Sequence, residues 1–228
     1  MQFLTVSDEV VPHIYSLNVK ERLGSVECAL ACGDLPYYYL EFIVTMLDVP
    51  CFYIHGNHDG VEYTDGGEEI SEPRGCVSLE GRSVCHGGFI LAGLGGSIRY
   101  NHDSGAQYTE TEMMFRVWRM TPRLLFNRRR YGRYLDILLT HAPPLDIHNG
   151  PDRPHRGFQA FLTFMDRFKP RYLIHGHIHR SYGFSAVTET RYNQTMVLNT
   201  AGYRVLSIDS ARQDCIESAP TKGSTLTS

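Results

Sequence analysis

The sequence contains no apolar run of about eighteen residues, so no helix in it is expected to span a membrane. None of the six cysteines sits in a C-x-x-C pair, the spacing common to zinc ribbons and dithiol redox sites. Excess charge is scarce: the formal net charge is −3 over 228 residues. So small a value argues against a nucleic-acid binder held by bulk charge and against a disordered acidic chain. The opening residues Met1-Gln2-Phe3-Leu4-Thr5-Val6 lack the basic start, apolar centre and small-residue cleavage site of a signal peptide. Reduced cysteines and a cytoplasmic protein are therefore expected. Gly93, Gly95 and Gly96 make a Gly-rich stretch, but no Gly-Lys-Ser/Thr follows. That excludes a P-loop and leaves a turn needing positive φ. No internal repeat and no linker divides the chain. The 42% hydrophobic composition suits one globular domain, expected over residues 1–209, with a polar and mobile tail over 210–228.

What is present is a regular alternation. Short apolar runs at residues 3–6, 28–32 and 49–54 read as buried strands, separated by helical stretches at 12–23 and 36–47. Each strand stops at a polar residue: Asp8, Asp34, then Asn57-His58-Asp59. An α/β fold binds its ligands at such strand ends. The middle predicts a hairpin from 76–79 and 83–86, a strand at 89–94, and a helix opened by the capping box Thr109 and Glu112. Pro122 is expected to end that helix and start a second one. The basic run Arg128-Arg129-Arg130 with Arg133 is read as a solvated helix end that complements the macrodipole. Strands at 135–140 and 171–174 end in His141 and in His175-Gly176-His177-Ile178-His179. A helix at 157–168 lies between them, and strands at 195–198 and 204–208 suggest an antiparallel finish.

Five strand ends thus finish in carboxylate, amide or imidazole groups, the donors that hold a hard or borderline metal ion. No cysteine stands among them, which disfavours a closed structural zinc site. His55 and His175, each just before a glycine, are read as buried structural histidines.

The ordered set Asp8, Gly33-Asp34, Gly56-Asn57-His58-Asp59, His141 and Gly176-His177-Ile178-His179 resembles the calcineurin-like metallophosphoesterase superfamily. The resemblance implies an α/β fold: a central β-sandwich of two mixed sheets flanked by helices, in four layers, αββα. It implies a small phosphate-ester substrate, a nucleotide among the candidates; the mild net charge disfavours nucleic acid as a partner, and the lack of a long apolar run disfavours a membrane. Two divalent metal ions (Mn²⁺, Fe or Zn²⁺) are implied. Asp34 bridges them, Asn57, His141 and His177 complete one site, and Asp8 and His179 belong to the other. The reaction implied is hydrolysis of small phosphodiesters by a metal-held hydroxide, with phosphomonoesters or nucleotide pyrophosphates as alternatives. His58 is expected to protonate the leaving oxygen, and Asp59 to fix its ring.

The sequence departs from the pattern once. The family's first motif is Asp-x-His, and here it reads Asp8-Glu9-Val10. Valine ligates nothing, so the second ion is expected to be weakly held, with water, Glu9 or His13 as substitutes. A single tight ion at the Asn57 site is the alternative, and a non-catalytic metal or nucleotide binder is a further reading of that change. Arg99, His148 and His155 are the expected substrate contacts, on loops around the metal face, with Tyr100, Asp152 and Arg180 nearby.

Overall fold

The computed structural model describes residues 1–63, 66–101, 105–179 and 187–209. The tail expected over 210–228 and the loop residue Arg180 lie outside the described residues. In chain order the elements are β1 (Gln2–Ser7), α1 (Val19–Leu23), β2 (Cys28–Ala31), α2 (Tyr37–Leu47), β3 (Cys51–Tyr53), β4 (Glu62–Tyr63), β5 (Glu69–Ile70), β6 (Cys76–Ser78), β7 (Ser83–His86) and β8 (Phe89–Leu94). There follow β9 (Ser97–Ile98), β10 (Gln107–Tyr108), α3 (Glu110–Tyr131), β11 (Ile137–Thr140), α4 (Gln159–Phe168), β12 (Tyr172–His175), β13 (Glu189–Tyr192), β14 (Thr195–Asn199) and β15 (Gly202–Ser207).

Side-chain alternation along the strands builds the layers. In the sheet ordered β15-β1-β2-β3-β6, Leu4, Val6, Ala29, Ala31, Cys51 and Tyr53 point to α1 and α2. Phe3, Cys28, Leu30 and Phe52 point the other way, into a core shared with the sheet ordered β13-β14-β12-β11-β8-β7. That second sheet contributes Phe89, Leu91, Ile137, Leu139, Ile174 and Leu198 to the shared core. It turns Ile90, Ala92, Leu94, Leu138, Leu173 and Val197 towards α3 and α4. The result is helices, sheet, sheet, helices: the four-layer αββα sandwich expected. Each sheet mixes parallel pairs with antiparallel ones, β1 with β15 in the first and β13 with β14 in the second.

Four local expectations are corrected. The helix expected at 12–23 is reduced to Val19–Leu23, because Ser16 and Asn18 engage backbone locally in a turn: Ser16 Oγ accepts the Asn18 N–H at 3.4 Å. Residues 76–79 and 83–86 are not a hairpin, since β6 lies beside β3 in one sheet and β7 beside β8 in the other. The hairpin is β7–β8, turned at Gly87 and Gly88, both at positive φ. Pro122 does not end α3, which runs unbroken from Glu110 to Tyr131. Pro122 sits on the outer face, where its missing N–H costs one bond while Met113, Val117, Met120 and Leu124 anchor the helix on the sheet. Finally, β14 and β15 do not pair; β14 runs parallel to β12 and β15 antiparallel to β1, in different sheets. Cys28, Cys32, Cys51 and Cys76 are free, as expected, whereas Cys85 is disulfide-bonded.

Candidate metal centre

The donors come from both sheets. Asp8, Asp34 and Asn57 follow β1, β2 and β3; His141 and His177 follow β11 and β12. At each end the chain must turn sharply, and Asp8, Asp34 and His177 do so at φ of 67°, 55° and 67°. Asp and His reach this left-handed region at less cost than β-branched residues. Glycines allow the close approach. A Cβ on Gly56 would lie 2.5 Å from Asp34 Cγ, and one on Gly176 would lie 2.6 Å from Asp8 Oδ2.

Backbone carbonyls set the tautomers. His141 Nδ1 faces the Cys32 carbonyl at 2.8 Å and so carries the proton, leaving a lone pair on Nε2. His177 Nε2 faces the Pro154 carbonyl at 2.9 Å, leaving the lone pair on Nδ1. The Asn57 amide donates its N–H to the Tyr100 hydroxyl at 3.2 Å, which turns its oxygen inwards. Around His141 Nε2 there are then Asn57 Oδ1 at 3.1 Å, His177 Nδ1 at 3.1 Å and Asp34 Oδ2 at 3.2 Å. The potential ligand atoms of Asp34, His141 and His177 all lie within 4.8 Å of one another.

The chemistry of this donor set tests whether a cation belongs there. Four potential ligand atoms converge, and the one hydrogen they can share in the metal-free protein is a second ring proton on His141. Burial and the neighbouring His141 push the His177 ring down to about 3, so it stays neutral. Burial also disfavours charge on His141, but the Asp34 and Asp8 carboxylates outweigh it and raise the ring to about 9. Burial pushes the Asp34 carboxyl up, yet His141 and the backbone N–H of His58 hold it well below the usual carboxylate range. The site therefore draws one positive charge. A proton on His141 supplies that charge in the metal-free protein, and a cation held by the four donors supplies it in its place. The residues fit a metal.

The second set is looser. Asp8 accepts the His177 backbone N–H at 2.9 Å, and its carboxylate lies 3.9 Å from His179 Nε2. Burial raises the Asp8 carboxyl, and His141 only partly offsets this. Val10 packs against the core beneath α1 and α2. Glu9 and His13, the expected substitutes, are exposed.

His58 is exposed beside Asp34, and its backbone N–H donates to Asp34 Oδ1 at 2.8 Å. Asp59 does something other than expected. Its oxygens accept the backbone N–H groups of Asp34 at 2.9 Å, Leu35 at 3.1 Å and Gly56 at 2.7 Å. Among the described residues it has no bond to the His58 ring. It ties two donor-bearing loops together instead. His148 is corrected as a substrate contact: it is buried, with Nδ1 2.9 Å from His175 Nε2 and Nε2 2.9 Å from Thr190 Oγ1. His155 does reach the site, its ring 5.2 Å from that of His177 and its Nδ1 2.7 Å from Asp152 Oδ2. Arg99 pairs with Glu112 at 2.9 Å and lines a cleft of about 710 Å³ with Tyr100, Asp152, Arg153 and Arg156. His175 is fully buried and His55 half-buried between Tyr37 and Tyr53, both in packing roles.

Sequence reasoning did not find Glu80. Its carboxylate accepts the His55 N–H at 2.9 Å and the Gly95 N–H at 3.3 Å and pairs with Arg116. It thereby joins the loop after β3 to the loop after β8. Nor did it find the carbonyls of Cys32 and Pro154, since a backbone acceptor leaves no trace in residue identity.

The sequence profile of the calcineurin-like phosphoesterase family matches residues 29–181, well over half of the chain. The matched span includes Asp34, Asn57, His141, His177 and His179 and leaves Asp8 and Val10 outside. A search of curated protein sequences finds no match. Among solved structures, one of 14% identity superposes with a TM-score of 0.61, covering 90% of this chain and 94% of its own. TT1561 of Thermus thermophilus superposes with a TM-score of 0.55 at 12% identity, covering 88% and 89%. A single mutant of Vps29 from Entamoeba histolytica gives 0.45 at 13% identity, covering 92% and 87%. At these identities the likeness is one of fold.

Proposed function

Because the chain belongs to the calcineurin-like phosphoesterase family, we propose that it hydrolyses small phosphodiesters at the centre built on Asp34, Asn57, His141 and His177. The observation that carries the reading is the convergence of lone-pair donors from two sheets with too few protons to satisfy them. Asp34, Asn57, His141 and His177 would hold one Mn²⁺, Fe or Zn²⁺ ion, and Asp8 and His179 a second, weaker one. A divalent ion bound there supplies Lewis acidity for water activation and for charge on phosphoryl oxygens.

The chain's own residues do the rest. His58, exposed at the rim, is placed to give a proton to the leaving oxygen. Asp59 keeps Asp34 and the Gly56 turn in register. Tyr100 holds the Asn57 amide with its oxygen turned to the centre. The cleft lined by Arg99, Tyr100 and Arg156 has the size of a small-ligand site and would take the second ester arm of the proposed substrate. His155 borders it.

The test is turnover of bis-(p-nitrophenyl) phosphate and p-nitrophenyl phosphate across Mn²⁺, Fe²⁺ and Zn²⁺, with metal counted per chain. Faster turnover of the diester supports the proposal; preference for the monoester replaces it with phosphomonoesterase activity. Val10 favours one other reading, a metal-dependent nucleotide binder lacking a competent second ion. Metal-dependent nucleotide affinity without turnover of either ester would establish it.

A further inference from the structure

Helix α3 has a second apolar face that the fold does not use. Met113, Val117, Met120 and Leu124 are buried against the sheet. Phe115, Trp118, Leu125 and Phe126 point outwards and are 54, 63, 50 and 50% exposed. At 100° per residue these four fall, with Pro122, in an arc of about 100°. The stripe has a basic surround. From residue 113 to residue 135 the sequence has no Asp or Glu and seven arginines. Arg116 pairs with Glu80 and Arg133 with Asp136. Arg119, Arg123, Arg128, Arg129 and Arg130 are exposed and form no ion pair among the described residues.

We propose that this face of α3 docks on the surface of an anionic lipid bilayer. An exposed stripe of Trp, Phe and Leu bordered by unneutralised arginines matches what the headgroup region offers: an apolar boundary for the rings and negative charge for the guanidinium groups. A hollow of about 410 Å³ beside the stripe is lined by Arg82 and Arg119 together with Gly81 and the Arg116–Glu80 pair, which leaves Arg82 and Arg119 to face a headgroup. A second copy would bring two sets of unpaired arginines together. A nucleic acid would set Pro122 and Leu125 against phosphates. The chain's overall −3 does not oppose this, since exposed charges act over about 8 Å at physiological salt. Among the described residues no helix is long and apolar enough to cross a membrane, and the contact proposed is a peripheral one. Arg99 lines both the cleft by the metal centre and a shallow apolar hollow at Phe115, which puts the docked surface beside the site's mouth.

The experiment uses the full chain and vesicles of phosphatidylcholine alone or mixed with phosphatidylglycerol. Trp118 is the only tryptophan, so its emission reports this face directly. The expected result is co-sedimentation with the anionic vesicles, weakened by salt, with a blue shift of Trp118 emission. Arg119→Gln, Arg123→Gln and Arg129→Gln together should lower partitioning roughly a hundredfold, about fivefold for each basic side chain lost from an anionic surface. Phe115→Ala with Trp118→Ala should weaken partitioning while leaving turnover of a soluble diester unchanged. Circular dichroism checks that the variants fold; if either does not, the parent's salt dependence and emission shift decide. Equal partitioning to neutral vesicles, or no emission shift with anionic ones, overturns the proposal. So does a concentration-dependent emission change with doubled mass and no vesicles, which would assign the face to a second copy. Retention of a nucleic-acid duplex in place of vesicles overturns it as well.

Discussion

Adding one methyl group at Gly56 isolates the geometry of the centre from its chemistry. Gly56→Ala removes no donor and asks for no forbidden backbone angle, because Gly56 is not at positive φ. The new Cβ would nevertheless lie 2.5 Å from Asp34 Cγ and 2.6 Å from Asp34 N, against the 3.0 Å that real Cβ contacts respect. Bringing these contacts to ordinary distance moves Asp34 by about 1 Å, away from His141 and from any ion they share. Such overpacking costs about 1–3 kcal/mol of stability, and a misplacement of about 1 Å costs roughly a hundredfold in rate. Gly60 is the matched control: it lies in the same loop, and a Cβ there would meet nothing within 4 Å. Gly60→Ala should therefore be neutral or stabilise by about 0.4–1 kcal/mol. The assays are metal per chain by elemental mass spectrometry, diester turnover under Mn²⁺ and thermal unfolding. Gly56→Ala should fold, unfold at a lower temperature, lose metal and lose about a hundredfold in kcat/KM. Unchanged metal content and turnover would refute the reasoning, and so would equal damage from Gly60→Ala.

Further outcomes are expected. Asn57→Ala and His141→Ala should each reduce bound metal itself; unchanged metal content would show the ligand assignment to be wrong. His58→Ala should keep its metal and lose activity most severely on esters with poor leaving groups, and equal losses on good and poor ones would remove its proton-donor role. At pH 7, Mn²⁺ binding to metal-free protein should release close to one proton, because the metal-free His141 ring holds its proton up to about 9. The release should vanish above that pH, and calorimetry in buffers of different ionisation enthalpy reads it. Burial pulls His148 down to about 4, so the unfolded chain takes up a proton there that the folded one refuses. Stability should fall as the pH drops from about 6.5 towards 4, and His148→Gln should make that fall shallower in denaturant titrations. A parallel slope for parent and variant would show that His148 is not responsible.

The sandwich and the gathering of Asp34, Asn57, His141 and His177 were legible because both write themselves into residue identity. Phe3, Leu4 and Val6 alternate as strand residues must, and Asp34 and Asn57 are costly at a strand end unless something charged meets them. Pairing partners were not legible. The runs at 76–79 and 83–86 look like hairpin arms by spacing, yet they enter different sheets, a choice made by packing far away in sequence. Pro122 carries a local signal to stop, which the buried stripe Met113, Val117, Met120 and Leu124 overrides. The roles of neighbouring side chains were harder to read than the cluster itself. Asp59 stands beside His58 in the sequence, but its oxygens turn to the backbone of residues 34, 35 and 56. His148 sits among loop residues that look accessible and is folded away against His175 and Thr190.

The split parentage of the donors has a consequence for the whole sandwich. Asp34 and Asn57 belong to one sheet and His141 and His177 to the other, so an ion held by all four is a rivet through the seam between them. Stripping it should do more than silence chemistry: the halves lose their fastening at the rim and keep only the greasy interior to hold them. Durability and reactivity then hang on the same few bonds, and a chelator should lower the melting temperature of this chain as surely as it stops its turnover.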